Sequence, residues 1–289
     1  MPLDIETMQI GSLAVYPIKG VQAVALKTAT VEAKGLLGDR RWMLVDADGR
    51  FITQREEPRL ATIKAELSED GLIVDLPGEM PIQVVKPDGS RRASVQVWRT
   101  VVDAALADEA VNERLSAFFG RFVRLVFMDK RASRFANPDW AGDDAHVSFA
   151  DGYPILLTTT ASLVALNDTI DDNGGAAVSM DRFRPNIVVD GASPWEEDGW
   201  AVIQVGELVF DLVKPCTRCI VPTFDQVSGE PRSDNQPTRA LTKTRRSADE
   251  RVRGVLFGWN VIARTEGMIH VGDAVNVLEG REAWPIRSG

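Results

Sequence analysis

The chain has 289 residues, 44% of them hydrophobic and 26% charged, which is ample for one large or two ordinary buried cores. Its formal charge of −9 argues against a general nucleic-acid binder, because no basic excess is left to neutralise phosphates; a local basic pocket for a small anion stays open. Two cysteines are too few for a disulfide framework, the acidic residues 1–10 lack the apolar core of a secretory leader, and no apolar run approaches the ~20 residues of a membrane span, so a soluble, cytoplasmic protein is expected.

Residues 8–16 alternate as a strand and run into Pro17-Ile18-Lys19-Gly20, a turn that presents Lys19 at a strand end. From spacing alone, a solvated turn lysine is the simpler reading. Gly35 and Gly38 bracket a short apolar turn that delivers Asp39, Arg40 and Arg41. Paired arginines are usually solvated, but beside a concave site their guanidinium forks match phosphate geometry. Asp48-Gly49 between two β-rich runs is a hairpin signal. Four more β-rich runs over 60–100, separated by Gly, Pro and Asp turns, point to a barrel or sandwich. Residues 103–119 switch to helical period, with Asp103 as the expected N-cap and Gly120 as the stop, and 122–128 read as a strand.

Residues 129–150 lack periodicity and are expected to be the seam between an N-terminal β-barrel domain, 1–128, and a second domain, 129–289. A short strand at 153–157 leads through Thr158, Thr159 and Thr160 into a helix over 161–170. Threonine there caps the helix, and the same N-terminus is a ready anion site. Arg182, Arg184 and Asn186 precede another strand, a hairpin centres on Gly206, 231–252 read as a loop with a short helix, and the end returns to β. The expected class is mainly β with some α, an α+β arrangement.

Both cysteines, Cys216 and Cys219, sit in a C-x-x-C spacing within 214–229, flanked by Lys214 and Arg218. Neighbouring cations favour thiolate over thiol. Pro215 and Pro222 suggest a shaped loop after a strand. Such a thiolate can be a soft metal ligand, a redox thiol or a nucleophile. Zinc fits poorly, since the two histidines, His146 and His270, lie far off without finger spacing. The β-rich surroundings speak against a thioredoxin-like dithiol, and no Ser/His/Asp set, Walker loop or G-x-G-x-x-G is present. The residues alone leave open a metal or redox thiol site with a phosphate-bearing cofactor.

Taken together, YPIKG at 16–20, GDRRWMLVD at 38–46, QREEPRL at 54–60, VSFADGYPILLTTTASL at 147–163, FRPNIVV at 183–189, KPCTRCIVPTFDQVSGE at 214–230 and IHVGDAV at 269–275 resemble the MOSC family. Within it they are similar to the group with an N-terminal β-barrel half, typified by the mitochondrial amidoxime-reducing component and its bacterial relatives. The resemblance implies a MOSC β-barrel core beside the β-rich N-terminal domain, with a molybdenum cofactor (Mo-molybdopterin) between them. It implies Cys219 as the metal's thiolate ligand and a structural role for Cys216. Lys19 matches the pterin-phosphate lysine, Arg40 the arginine of the DR-x-W motif, and Arg184 and Asn186 the FRPN pair at the cofactor. Thr159 and Ser162 match hydroxyls at the helix start near the pterin, and Thr217 and Arg218 lie in the ligand loop. Gly20 stands where animal relatives carry serine.

The activity so implied is molybdenum-dependent reduction of N-hydroxylated compounds (amidoximes, hydroxylamines and N-hydroxylated bases), a detoxifying chemistry. Asp225, beside the metal loop, is the candidate proton donor, with a structural turn aspartate as the simpler reading. No cysteines remain for an iron–sulfur cluster, which needs four. Electrons are therefore expected from a separate protein: a ferredoxin, a flavodoxin with its reductase, or a cytochrome b5-like donor. The apolar N-terminal segment of membrane-tethered members is not seen, so no membrane partner is expected, nor any nucleic acid. MOSC domains also occur fused to cofactor sulfurases, so the alternative is a sulfur or molybdenum-cofactor carrier with a Cys219 persulfide. No pyridoxal-phosphate sulfurase domain accompanies it, and pyridoxal phosphate is not expected. A third reading is storage of the cofactor without turnover.

Overall fold

The computed structural model describes residues 7–287; residues 1–6, on which the expected lack of a leader partly rests, and 288–289 lie outside it. The protein is mainly β with four α-helices among the described residues. The alternation of the first strand places Ile10, Leu13 and Val15 in the core, and Gln9–Val15 pairs antiparallel with both Val24–Leu26 and Ile187–Asp190. It thereby joins an eight-stranded sheet whose other members are Ile155–Thr159, Trp200–Val205, Leu208–Arg218, Val255–Ala263 and Val275–Gly280. Thr28–Glu32 and Gly35–Leu36 pair with Gly267–His270 in a small sheet. Both sheets take strands from either side of residue 128. In chain order, the strands between Gly35–Leu36 and Ile155–Thr159 form a four-stranded sheet, ordered Trp42–Val45, Arg124–Phe127, Thr100–Leu106, Arg92–Val97, and a three-stranded one over Lys64–Ser68, Gly71–Asp75 and Ile82–Val85.

One crossover orders the later half. Ile155–Thr159 and Ile187–Asp190 are parallel neighbours joined through the helix Thr160–Asp171, the connection a parallel pair requires. The turn Met180–Phe183 then brings Arg184 and Asn186 to the start of Ile187–Asp190, beside the first strand of the chain. Large side chains hold these layers: Trp42, Trp259, Tyr16, Phe149, Phe183 and Phe257 are almost completely buried. Each such apolar side chain contributes roughly 1.5–3 kcal/mol by leaving water.

Two expectations are corrected. Residues 100–106 are a strand, not the first turns of a helix: Thr100 pairs with Val97 and Ala105 with Arg92, while Asp103 accepts Arg92 Nε at 2.6 Å. The helix is Glu109–Phe119, capped by Asp108, whose side chain accepts the Ala110 N–H, and it stops at Gly120 with φ 64° as expected. The alanine-rich segment suits either period, and pairing with Arg92–Val97 decides it. Likewise the loop expected over 214–229 begins only after Arg218. Leu208–Arg218 carries through Cys216 to Arg218, its register shifting between Pro215 and Thr217, which accommodates a residue that has no N–H for the ladder. Cys219 follows the strand end, before the turn Val221–Thr223.

Candidate functional site

A cleft of about 460 Å³ is lined by Lys19, Gly20, Arg40, Arg184, Asn186, Thr217, Arg218 and Cys219, together with Cys216. Its rim also carries Arg55, Arg253 and Asp151. Six cations and one carboxylate thus line a single cavity of a chain whose formal charge is −9.

Lys19 reaches the cleft because its turn is pinned: its N–H donates to the Trp42 carbonyl at 2.8 Å, and Gly20 takes φ 84° where an added Cβ would meet Leu60 at 3.2 Å. The Lys19 ammonium donates to the Phe149 carbonyl at 2.8 Å and to Asp151 Oδ1 at 2.5 Å. Burial pushes its pKa down from the ordinary lysine value, against the pull of the Asp151 carboxylate. Burial works to raise Asp151, but the Lys19 charge and hydrogen bond outweigh it and hold the carboxyl well below its usual range.

The two arginines are built around Tyr16. Arg40 lies at φ 45° and Arg184 at φ 57°, conformations that cost a non-glycine residue energy and that persist where surrounding contacts impose them. Their guanidinium carbons lie 4.2 and 4.1 Å from the Tyr16 ring centroid. Arg40 Nη1 donates to both Asp39 oxygens at 3.0 and 2.8 Å and to Asn186 Oδ1 at 3.0 Å, and its Nη2 to the Arg184 carbonyl at 3.1 Å. Arg184 donates to Gln226 Oε1 at 3.0 Å and to the Val21 carbonyl at 2.7 Å. Burial lowers Arg184 to about 10, and Arg40 pushes the same way against Tyr16 and Asp39. Burial also raises the Tyr16 phenol to about 12 despite the two cations. Asn186 is heavily engaged: besides Arg40 its Oδ1 accepts the Leu156 N–H at 3.1 Å, and its Nδ2 donates to the Ala14 carbonyl at 3.1 Å, tying three segments together.

At the far wall Arg218 donates to Cys216 Sγ at 3.1 Å and to the Phe183 carbonyl at 2.8 Å, while its buried Nε has no partner among the described residues. Cys219 is exposed to the cleft, and its sulfur accepts the Val221 N–H at 3.5 Å. Among the described residues, no cluster of three or more His, Cys, Asp or Glu side chains is placed to hold a bare metal ion. This donor set suits a metal that arrives with its own chelate and an anionic tail: one soft sulfur, a surplus of cations and an unpartnered guanidinium N–H. The cavity is within the size range of cofactor sites.

Thr159, Ser162, Asp225 and Arg41 are not brought to the cleft. Thr159 and Ser162 are fully buried beside the helix start; Thr159 Oγ1 accepts the Ser162 N–H, and both hydroxyls donate to Glu197 Oε2, at 3.1 and 2.8 Å. Thr159 itself caps the helix, and a carboxylate from within the chain takes up both hydroxyls. Asp225 accepts the N–H groups of Val227 and Ser228 at 3.0 and 2.9 Å and Arg182 Nη2 at 3.0 Å. Those backbone hydrogen bonds, with Arg182, hold its carboxyl below the ordinary value, which suits a turn organiser and opposes proton donation at neutral pH. Arg41 does not line the cleft and lies 3.8 Å from Glu32. Sequence reasoning missed Tyr16, Asp151 and Gln226. The nearest signal was that Tyr16 and Asp151 stand inside the YPIKG and ADGYP runs.

Comparison with known proteins matches residues 7–122 to the MOSC N-terminal beta barrel domain and residues 144–276 to the MOSC domain. Molybdenum cofactor sulfurase of Homo sapiens is 31% identical over 240 residues, covering 76% of this chain and 27% of the relative. The protein of the same name from Oryza sativa is 25% identical, covering 97% and 36%. The chain thus spans about a third or less of these two relatives. Mitochondrial amidoxime-reducing component 1 of Xenopus laevis is 29% identical over 284 residues, covering 92% of this chain and 81% of the relative.

Proposed function

The chain belongs to the MOSC-domain proteins that carry a MOSC N-terminal β-barrel domain, and from that premise we propose that it binds a molybdenum cofactor and reduces N-hydroxylated compounds with electrons from a separate protein. The observation that carries the reading is that Lys19, Arg40 and Arg184, from three distant segments, line one cleft with Cys219. Similarity to the amidoxime-reducing component runs through most of both chains, and similarity to the cofactor sulfurase covers 27% of that relative.

When bound, the cofactor supplies the two-electron chemistry that turns N–OH into N–H. The chain's part is to hold it and shape its surroundings. Lys19, Arg40 and Arg184 would meet the phosphate, with Arg184 and Arg40 already turned toward one another by Tyr16. Cys219 would be the protein's thiolate ligand, set just beyond the strand end and free of competing side-chain partners. The orphaned Nε of Arg218 offers a further donor. Asp151 pairs with Lys19 and opposes the burial that lowers its pKa. With Asp225 engaged by its own turn, we assign it no proton transfer.

Metal and pterin analysis of the wild type beside Cys219→Ala, followed by benzamidoxime reduction with an artificial electron donor, tests the reading. Near-stoichiometric molybdenum with turnover, both lost in the variant, is expected. Protein free of molybdenum from a cofactor-replete host, with labile sulfur on Cys219, would overturn it in favour of a sulfur carrier.

A further inference from the structure

A second groove of about 540 Å³ adjoins the cleft and shares Trp98, Asp151, Gly152 and Tyr153 with it. Trp98 is an unusual occupant of its position. Thr100 pairs with Val97, so Trp98 and Arg99 make the whole turn of a hairpin, and Trp98 takes φ 55° at the first central position, where glycine is the usual residue. Trp98 is nevertheless 45% exposed. The ring is held by Phe51, edge to face at 5.0 Å, by Arg55 at 5.3 Å, and by an Nε1 hydrogen bond to Asp151 Oδ1 at 3.3 Å. A strained backbone that keeps a large aromatic face in water, fastened to the partner of Lys19, is poorly explained by packing.

The groove carries two further aromatic side chains. Phe135 is 50% exposed and rests on His146 at 4.6 Å between centroids. Tyr153 borders both cavities, and its hydroxyl is buried with no hydrogen-bond partner among the described residues. A buried hydroxyl left unpaired is costly, and a ligand with a polar edge would satisfy it. The nearby charges are Arg99, Arg134 and Lys214, with Asp151 on the cleft side, so a cationic ring would be disfavoured. Arg134 spends its guanidinium on the carbonyls of Ser148, Ala150 and Asp151.

We propose that this groove seats the ring of a flat, uncharged N-hydroxylated substrate, stacked on Trp98 with its polar edge toward Tyr153, so that the N–OH end passes Asp151 into the cleft. The proposal rests on the reductase reading for the identity of the ligand, and it makes Trp98 and Phe135 specificity-determining residues.

Benzamidoxime is the probe. Without a reductant it reports binding by calorimetry on the cofactor-loaded protein; with an artificial donor it reports KM and kcat, beside hydroxylamine, which has no ring. Trp98→Gly removes the indole and suits the positive φ, and Phe135→Ala tests the groove independently of that hairpin. Each is expected to raise the benzamidoxime Kd and KM, by about tenfold for Trp98→Gly, the scale of a lost aromatic contact with its buried area. The kcat and the hydroxylamine parameters should hold, and Trp98→Phe should restore most of the binding. Benzamidoxime binding indifferent to both substitutions, or equal losses for the ringless substrate, would overturn the proposal. Wild-type protein that binds benzamidoxime through Trp98 yet reduces nothing would leave the groove standing and remove the reductase reading. Turnover indifferent to Trp98 and Phe135 would do the reverse.

Discussion

Arg40 and Arg184 lie 144 positions apart, yet Arg40 Nη2 donates to the Arg184 carbonyl at 3.1 Å and both guanidinium groups pack on the one ring of Tyr16. Asp39 offsets the first charge, while burial and its neighbour Arg40 bring Arg184 down to about 10. Two cations crowded in this way favour any anion that can join them. Cofactor-free protein should therefore melt higher in inorganic phosphate than in chloride of equal ionic strength. The gain should grow with ligand toward about 2.7 kcal/mol at a hundred times Kd. Arg184→Gly tolerates φ 57° and should lose that response while its unliganded stability moves by only about 1 kcal/mol. Thermal scans with and without phosphate decide it; an undiminished shift in the variant would show that the anion binds elsewhere.

The Lys19–Asp151 pair carries a pH signature. Asp151 is held below its usual range in the folded state, so its contribution is present above the unfolded pKa and is lost as pH falls through about 4 and below. Its side chain is 73% exposed, which keeps the expected contribution near the surface-pair scale of about 1 kcal/mol or less. Asp151→Asn should unfold at lower urea than the wild type at pH 7, and the gap should narrow progressively as the pH falls below about 4. A gap that widens on acidification would contradict the assignment.

Cys219 and Cys216 should part company toward alkylating reagents. Cys219 is exposed in the cleft, whereas Cys216 is half-buried against Arg218. Limiting iodoacetamide on cofactor-free protein should label Cys219 first, and loading the cofactor should protect it. Peptide mass spectrometry reads both sites. Equal labelling of Cys219 in loaded and empty protein would remove it as the ligand.

How much of this was legible beforehand differs residue by residue. Lys19, Arg40 and Arg184 stand in turns that proline, glycine and polar residues announce, so their presentation could be read locally. Their meeting could not, because it depends on Gln9–Val15 pairing with Ile187–Asp190. Asp151 was invisible for the same reason: its role is created by Lys19, 132 positions away. The helix start at Thr160 was read well, since capping is local. Its use as an anion site was not, because Glu197 comes 35 residues after Ser162 to fill it. Residues 103–106 failed on period: alanines fit a strand as easily as a helix, and only the partner strand chooses.

Glu197 gives the last prediction. It is 1% exposed, and its Oε2 accepts the Ser162 and Thr159 hydroxyls while Ser162 Oγ accepts the Trp195 N–H. Burial raises its pKa to about 7, aided by the charge of Asp198 and opposed by the hydrogen bonds it accepts. An acid whose folded pKa lies above its unfolded one binds more protons folded than unfolded between those two values. Its stabilising protonated form is fully present below about pH 4 and is lost as pH rises toward 7, after which the penalty is constant. Glu197→Gln keeps an acceptor for one hydroxyl and removes the titration. The variant should equal or slightly trail the wild type at pH 5 and exceed it at pH 8 by roughly 1–3 kcal/mol, the size of a shift of that order. Urea unfolding at the two pH values measures the crossing. Since neither Thr159 nor Ser162 lines the cleft, molybdenum content should be unchanged in the variant. Loss of cofactor on this substitution, with stability intact, would return those hydroxyls to the pterin.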